Sequence, residues 1–323
     1  MTEGERPRKG TTVHSSAVLL PLRVAFRGAG LLFPSLTARV AGALFRLPPR
    51  HRTSESESRL LQQGRFRFLN TESARLATWQ WGEGPAIVLV HGWGSRGARL
   101  SSFVEPIVAA GCSAITFDAP GHGDSTGRLS SLPQFVESLF AVSAAHAPVR
   151  ALVAHSMGGA AAALAIARGL SAERVVFLAP AAHPGNYSRL FAETLAISPA
   201  VREIMERRFE RKFGFRWNEF DVPSHVTSLT MPLLVIHDQD DTDVAWSDGD
   251  SIARAWPRGQ LVTTRGLGHR RIVHDPQVVS RAVSFLFDGA RRTGEPVLRE
   301  DLRESARSVA CGGFDPLSDR LGG

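Results

Sequence analysis

The chain has 323 residues, 43% hydrophobic and 21% charged, enough for one large or two small domains around a sizeable core. No run reaches the roughly 18 apolar residues of a spanning helix, and two cysteines, Cys112 and Cys311, are too few for a disulfide framework or a cysteine-built zinc site. The formal charge of +7 would fit a polyanionic partner, but it is unevenly spread. Residues 1–65 hold 11 Lys/Arg and 4 Asp/Glu, whereas residues 66–323 hold 27 of each.

Residues 1–16 are polar and basic and read as disordered. Residues 17–64 read as a basic helical arm and linker. Leu36, Val40 and Leu44 fall on one helical face, Pro34 suits a helix start and Pro48-Pro49 a stop. Arg23, Arg27, Arg39 and Arg46 are interspersed. The arm either packs on the rest of the chain with its arginines in water, or lies on an anionic membrane surface through residues 17–47. Gly28, Gly30 and Pro34 interrupt a long lipid-binding face and favour packing. Pro21, Arg23 and Arg27 break any signal-peptide core, so the expected location is cytoplasmic, at most peripheral to the inner membrane surface. Residues 50–64 read as a polar linker.

From residue 65 short β-type runs alternate with helical stretches. Residues 65–69 and 76–81 read as a strand pair. Residues 86–90, 114–117, 151–154, 175–178 and 233–236 are apolar runs of the kind buried on both faces of a parallel sheet. Residues 100–110, 132–146 and 157–169 have helix length between them. The alternation predicts an α/β fold, a mostly parallel sheet with helices on both faces, over residues 65–288. Residues 183–228, dense in Arg, Glu and Phe, read as a helical lid inserted into it. A last helix begins at Pro276 with Asp275 as its N-cap, and residues 289–323 read as a weakly ordered tail.

The strongest local signal is Ala154-His155-Ser156-Met157-Gly158-Gly159, where a buried strand gives way to a small-residue helix. A serine on such a turn projects its hydroxyl above the sheet, and only small residues fit two positions to either side, here Ala154 and Gly158. The bland reading is an ordinary N-cap serine. His91-Gly92-Trp93-Gly94 follows the first central strand, and its turn can bring the Trp93 N–H beside that of Met157 as an oxyanion hole. Phe117-Asp118-Ala119-Pro120-Gly121-His122-Gly123-Asp124-Ser125 is a tight loop in which His122 is assigned a structural role.

These three segments, in this order and spacing, resemble the α/β-hydrolase superfamily over residues 65–288. The resemblance implies a Ser, Asp/Glu, His triad in chain order. Its acid motif aligns with His237, Asp241 and Val244, which prefers Asp241 and leaves Asp240 as rival. Its base follows the last strand, where His269 stands in Gly266-Leu267-Gly268-His269, with His274 as runner-up. A serine at the elbow argues against halide displacement and epoxide opening and for acyl transfer to water. A carboxylic ester is the leading substrate, and thioesters or amides are related ones. The rival readings are a non-catalytic binding member of the superfamily and a carbon–carbon bond hydrolase on the same triad.

The expected partner is a small, apolar acyl substrate held under the lid by Phe191, Phe209, Phe213, Phe215, Trp217 and Phe220. Most of these six are expected to pack the lid on the core, with Arg207, Arg208, Arg211 and Lys212 on a solvated helix face. Neither a dinucleotide fingerprint nor a phosphate loop occurs, so no cofactor is expected. Asp238, Asp240 and Asp243 lack the loop glycine and terminal glutamate of a calcium loop, so no metal is expected. No nucleic-acid motif accompanies the charge. Two lysines against 36 arginines fit a high-GC, bacterial coding bias, which makes arginine the default cation.

Overall fold

The computed structural model describes residues 16–288. The amino-terminal residues 1–15 and the tail 289–323, with Cys311, lie outside the described residues. Eight strands form one sheet: β1 (Arg65–Asn70), β2 (Arg75–Trp81), β3 (Ala86–Val90), β4 (Ser113–Phe117), β5 (Val149–His155), β6 (Arg174–Leu178), β7 (Leu233–Asp238) and β8 (Gly259–Thr264). Their order is β1-β2-β4-β3-β5-β6-β7-β8. β2 is antiparallel to both its neighbours, and β4, β3 and β5 through β8 run parallel.

The helices are α1 (Ser16–Leu32), α2 (Pro34–Phe45), α3 (Glu55–Gln63), α4 (Val104–Ala109), α5 (Leu132–Ala145), α6 (Met157–Ala167), α7 (Asn186–Thr194), α8 (Pro199–Phe213), α9 (Val222–His225), α10 (Trp246–Ala255), α11 (Gly268–Arg271) and α12 (Pro276–Phe287). The central strands are apolar throughout because both faces are covered. Val88, Val90, Ile115, Phe117, Leu152, Ala154, Val175, Phe177, Leu233 and Val235 share one core with α5, α6 and α10. The alternating residues Ile87, Leu89, Val153, Val176 and Ile236 are also buried, on the opposite face. α6 is buried from Gly158 to Ile166, and its run of alanines lets it sit between the sheet and α5. α12 begins as expected: the Asp275 carboxylate accepts from the Gln277 and Val278 amides, both at 3.0 Å.

Three local readings need correction. Residues 50–64 are not an unstructured linker. Ser54 and Glu57 form a reciprocal capping box that starts α3, Glu57 is buried beside Arg99 at 3.6 Å, and the Trp81 indole donates to the Leu60 carbonyl at 3.1 Å. Ser16, read with the disordered leader, already opens α1. The face of α2 marked by Leu36, Val40 and Leu44 does not meet the core, since all three are exposed. α2 packs through Thr37, Ala38 and Ala41 instead. Phe26, Ala38 and Ala41 share a second core with Ala192, Leu195, Ile197, Val201 and Met205 of the segment that spans α7 and α8. Small side chains win that contact because they let α2 lie close on α8.

The loops that follow β3 and β4 are held by two buried histidines. The His91 Nδ1–H donates to the Gly92 carbonyl at 2.7 Å while its Nε2 accepts from the Ala119 amide at 3.0 Å. The His122 Nδ1–H donates to the Pro120 carbonyl and its Nε2 accepts from the Gly94 amide, both at 3.0 Å. His122 thus has the structural role expected of it. Each ring needs one bare nitrogen, so each must be neutral. Burial pushes the His91 pKa well below its usual value and the His122 pKa down to about 4. Such a group stabilises the fold fully above its unfolded pKa of about 6.5 and loses that contribution as pH falls towards 4. For His122 the loss is roughly 3 kcal/mol. Urea unfolding between pH 7 and pH 4 is expected to show stability falling with pH. His122→Gln, which can keep one donated and one accepted bond without titrating, should reduce that slope by up to about 1.4 kcal/mol per pH unit.

Candidate active site

All the residues singled out for chemistry sit at the carboxyl ends of the parallel strands, where an open α/β sheet leaves a crevice. Ser156 joins β5 to α6 in a backbone conformation of φ 56° and ψ −125°. For a β-carbon-bearing residue that conformation costs about 1–3 kcal/mol and persists only where the surroundings enforce it. Here the Ser156 amide donates to the Leu178 carbonyl at 3.0 Å, and its own carbonyl accepts from Gly159 at 2.9 Å and Ala181 at 3.3 Å.

The turn is pressed against the His91-Gly92 loop. A β-carbon on Gly158 would come 2.5 Å from the His91 carbonyl oxygen, and one on Gly92 would come 2.8 Å from the Ser156 β-carbon. Glycine is therefore required at both positions. Ala154, fully buried in β5, shows that a methyl group fits two residues before the serine. Among the described residues, neither the Trp93 amide nor the Met157 amide donates a hydrogen bond, and both residues line the same cavity as Ser156. Nothing among the described residues bonds to the Ser156 hydroxyl.

On the loop after β7, Asp241 turns a fully buried carboxylate towards His269. Its Oδ2 accepts from the His269 Nδ1–H at 2.8 Å. Its Oδ1 accepts from the Asp243 amide at 2.8 Å and the Val244 amide at 2.9 Å. Burial alone would push this carboxyl up. Hydrogen bonds from His237 and His269 outweigh it and hold Asp241 well below the usual carboxylate range, so it is ionised. Asp240, the rival acid, points elsewhere and accepts from the Gly266 amide at 2.9 Å. The alternative base His274 bonds to the Ser102 hydroxyl at 3.0 Å, away from the cavity. Asp238 is consumed by Thr264 and the amides of Asp240 and Leu267. No metal-holding cluster occurs among the described residues.

Two histidines to which the sequence reading gave no role brace this pair. The Nε2–H of buried His237 is shared between the Val244 carbonyl at 3.2 Å and Asp241 Oδ2 at 3.4 Å. His155, next to Ser156 in sequence, donates its Nε2–H to the His269 carbonyl at 2.9 Å, with the two rings 4.6 Å apart. Burial first, and the neighbouring His269 second, push the His155 pKa down to about 3, so it stays neutral. Their signal was positional: each ends a strand beside a residue already singled out.

Ser156, Met157, Trp93 and His269 open on one cavity of about 830 Å³, a size that suits a small-molecule site. Phe191, Phe209, Trp217 and Phe220 line it from residues 183–228, and Phe209, Phe215 and Phe220 belong to the core. Arg207, Arg208, Arg211 and Lys212 are exposed, as expected. The unforeseen wall is the arm. Leu44, Phe45, Arg46 and Leu47 face the same cavity, and the Phe45 ring packs edge-on to Phe191 at 5.3 Å.

Comparison with known proteins agrees with this architecture. A pimeloyl-[acyl-carrier protein] methyl ester esterase from Chromobacterium violaceum is 36% identical over 80 residues, which is 24% of this chain and 30% of that protein. Among solved structures, the mouse alpha/beta hydrolase domain-containing protein 10 superposes with a TM-score of 0.55 at 20% identity, over 71% of this chain and 100% of that one. A Pyrococcus furiosus esterase gives a TM-score of 0.55 at 20% identity, over 74% and 95% of the two chains. The profile of the alpha/beta hydrolase family matches residues 87–282, a span that holds Trp93, Ser156, Met157, Asp241 and His269 but not the cavity wall formed by residues 44–47, and the chain belongs to that family.

Proposed function

We propose that the protein is a serine hydrolase that cleaves a carboxylic ester through an acyl-enzyme. The observation that carries this reading is the 2.8 Å pair of His269 and an ionised, buried Asp241, opening on the same cavity as a serine held in a strained turn. His269 Nε2 takes the Ser156 proton as Oγ bonds to the ester carbonyl carbon. Asp241 fixes the imidazole with Nδ1 protonated and stabilises the imidazolium that forms. The carbonyl oxygen gains the negative charge and receives the Trp93 and Met157 amides, at the amino terminus of α6 where the helix dipole favours an anion. His269 then gives the proton to the departing alcohol oxygen as the C–O bond breaks. Water, deprotonated by His269, then adds to the acyl carbon; the C–Oγ bond breaks, His269 returns the proton to Ser156 Oγ, and the acid is released.

His155 acts as a positioning residue, because its bond to the His269 carbonyl fixes the short helix that carries the base. The aromatic and leucine side chains of the cavity fit an apolar acyl group of medium length. The relative that acts on a pimeloyl methyl ester is consistent with such a substrate.

Hydrolysis of p-nitrophenyl butyrate and octanoate by purified protein tests the reading. Ser156→Ala should lower kcat by at least about 10⁴-fold and abolish labelling by a fluorophosphonate probe. Activity that survives this substitution refutes the mechanism. The two acids separate cleanly: Asp241→Asn should cost about 10³–10⁴-fold in kcat, whereas Asp240→Asn, whose amide oxygen can still accept from the Gly266 amide, should stay within about threefold.

A further inference from the structure

The large apolar side chains left in water are concentrated in one place. Of those exposed among the described residues, ten lie between Leu20 and Leu47, from Leu44 at 38% to Leu31 at 81% exposed. Leu20, Val24, Arg27 and Leu31 are spaced to share one face of α1, and Leu36, Val40 and Leu44 share one face of α2. The other side of the same two helices, with Phe26, Ala38 and Ala41, is already packed on the segment that spans α7 and α8. The arm therefore carries more apolar surface than its attachment uses, and exposed apolar surface concentrated in this way marks an interaction site.

The charges around the patch select its partner. No Asp or Glu occurs between Glu5 and Glu55, whereas residues 17–54 contain Arg23, Arg27, Arg39, Arg46, Arg50 and Arg52. Among the described residues none of Arg23, Arg27 and Arg39 pairs with a carboxylate, and all three are exposed; Arg23 donates to the Thr194 carbonyl at 3.3 Å, so Arg27 and Arg39 are the two that face outward. We propose that this face of α1 and α2 docks on an anionic lipid bilayer, its leucines and valines entering the acyl boundary and its guanidinium groups reaching the phosphates. Apolar area and arginines on one amphipathic surface add their contributions in binding such a membrane. Arginine suits the role because its aliphatic stem lies on apolar surface while the charged head reaches out. No described helix is long and apolar enough to cross the bilayer, so the contact is lateral.

Docking would set the cavity at the lipid surface. Leu44, Leu47 and Leu190 are each exposed and each line the cavity, so its rim is continuous with the patch. An ester dissolved in the membrane then reaches Ser156 without crossing water. That last step rests on the hydrolase reading above, and the docking itself does not.

Flotation of the full chain with vesicles tests the proposal. The protein should rise with vesicles containing phosphatidylglycerol, and less with pure phosphatidylcholine or in high salt. The triple variant Leu31→Glu, Leu36→Glu, Val40→Glu should lower the bound fraction by about tenfold or more. None of these three residues lines the cavity, so its hydrolysis of soluble p-nitrophenyl acetate should be retained, which also shows that it folds. If it does not fold, Arg27→Glu with Arg39→Glu should give a comparable loss on anionic vesicles. Ser156→Ala should float as the wild type does, so a failed mechanism and a failed docking surface remain distinct. The proposal is overturned if the wild type does not float, or if wild type and both arm variants float equally. It is also overturned if the wild type is a dimer that the triple variant dissociates and neither binds vesicles, since a second copy then covers the face.

Discussion

The site depends on one close approach of two backbones. The turn at Ser156 and the turn at Gly92 touch with no room for a side chain between them: a β-carbon on either Gly158 or Gly92 would overlap the other loop. This contact forces the serine into its left-handed backbone conformation, and the bonds to Leu178, Gly159 and Ala181 keep it there. It also brings the Trp93 amide to the same side as the start of α6. The rest of the fold can be seen as what makes this contact durable. A small-residue α6 is clamped by α5, and a parallel sheet ends β3 and β5 at the same level, Val90 opposite Ala154.

How far the sequence revealed this follows from which interactions were local. The strands β3 to β7 could be found because burial on both faces leaves an unbroken apolar run. β8 could not be bounded in the same way: it is an edge strand, only partly buried along its length, and has no such run. α10 escaped notice because its buried residues, Gly249, Ile252 and Ala253, are few and small. α3 had a local signal in Ser54 and Glu57, but its polar composition masked it, and its anchors, Trp81 and Arg99, lie 20 or more residues away. The apolar spacing of α2 identifies a shared face, but periodicity does not report what that face meets, and here the face is exposed.

The cavity shows the same division. Its floor comes from strand ends whose motifs can be read in sequence, while its walls come from segments far apart in the chain. Phe45 belongs to the arm and Phe191 to α7, and only folding sets their rings edge to edge. The arm is therefore both a wall of the cavity and the most apolar part of the surface. On α2 the two sides differ in size: Thr37, Ala38 and Ala41 carry the packed side, and Leu36, Val40 and Leu44 the exposed one. The opening excess of charge belongs to this element and not to the neutral domain beneath it.

Eleven histidines in the sequence could each be proposed as a base, and the structure separates them by a physical criterion. A general base must gain a proton where the new charge is compensated, and must present its accepting nitrogen to the substrate. His91, His122 and His155 are buried and held neutral, and no carboxylate bonds to any of them. His237 reaches Asp241, but its Nε2 is already shared with Val244, and its Nδ1 is enclosed where Gly249 packs. His183 also bonds a carboxylate, that of Asp221 at 2.6 Å, but does not line the cavity; of the histidines that do, His269 alone combines a bond to an ionised carboxylate with an Nε2 that nothing among the described residues occupies. The neutral histidines are what make that arrangement possible. They supply directional bonds to the loops around the cavity without adding positive charges that would compete for Asp241.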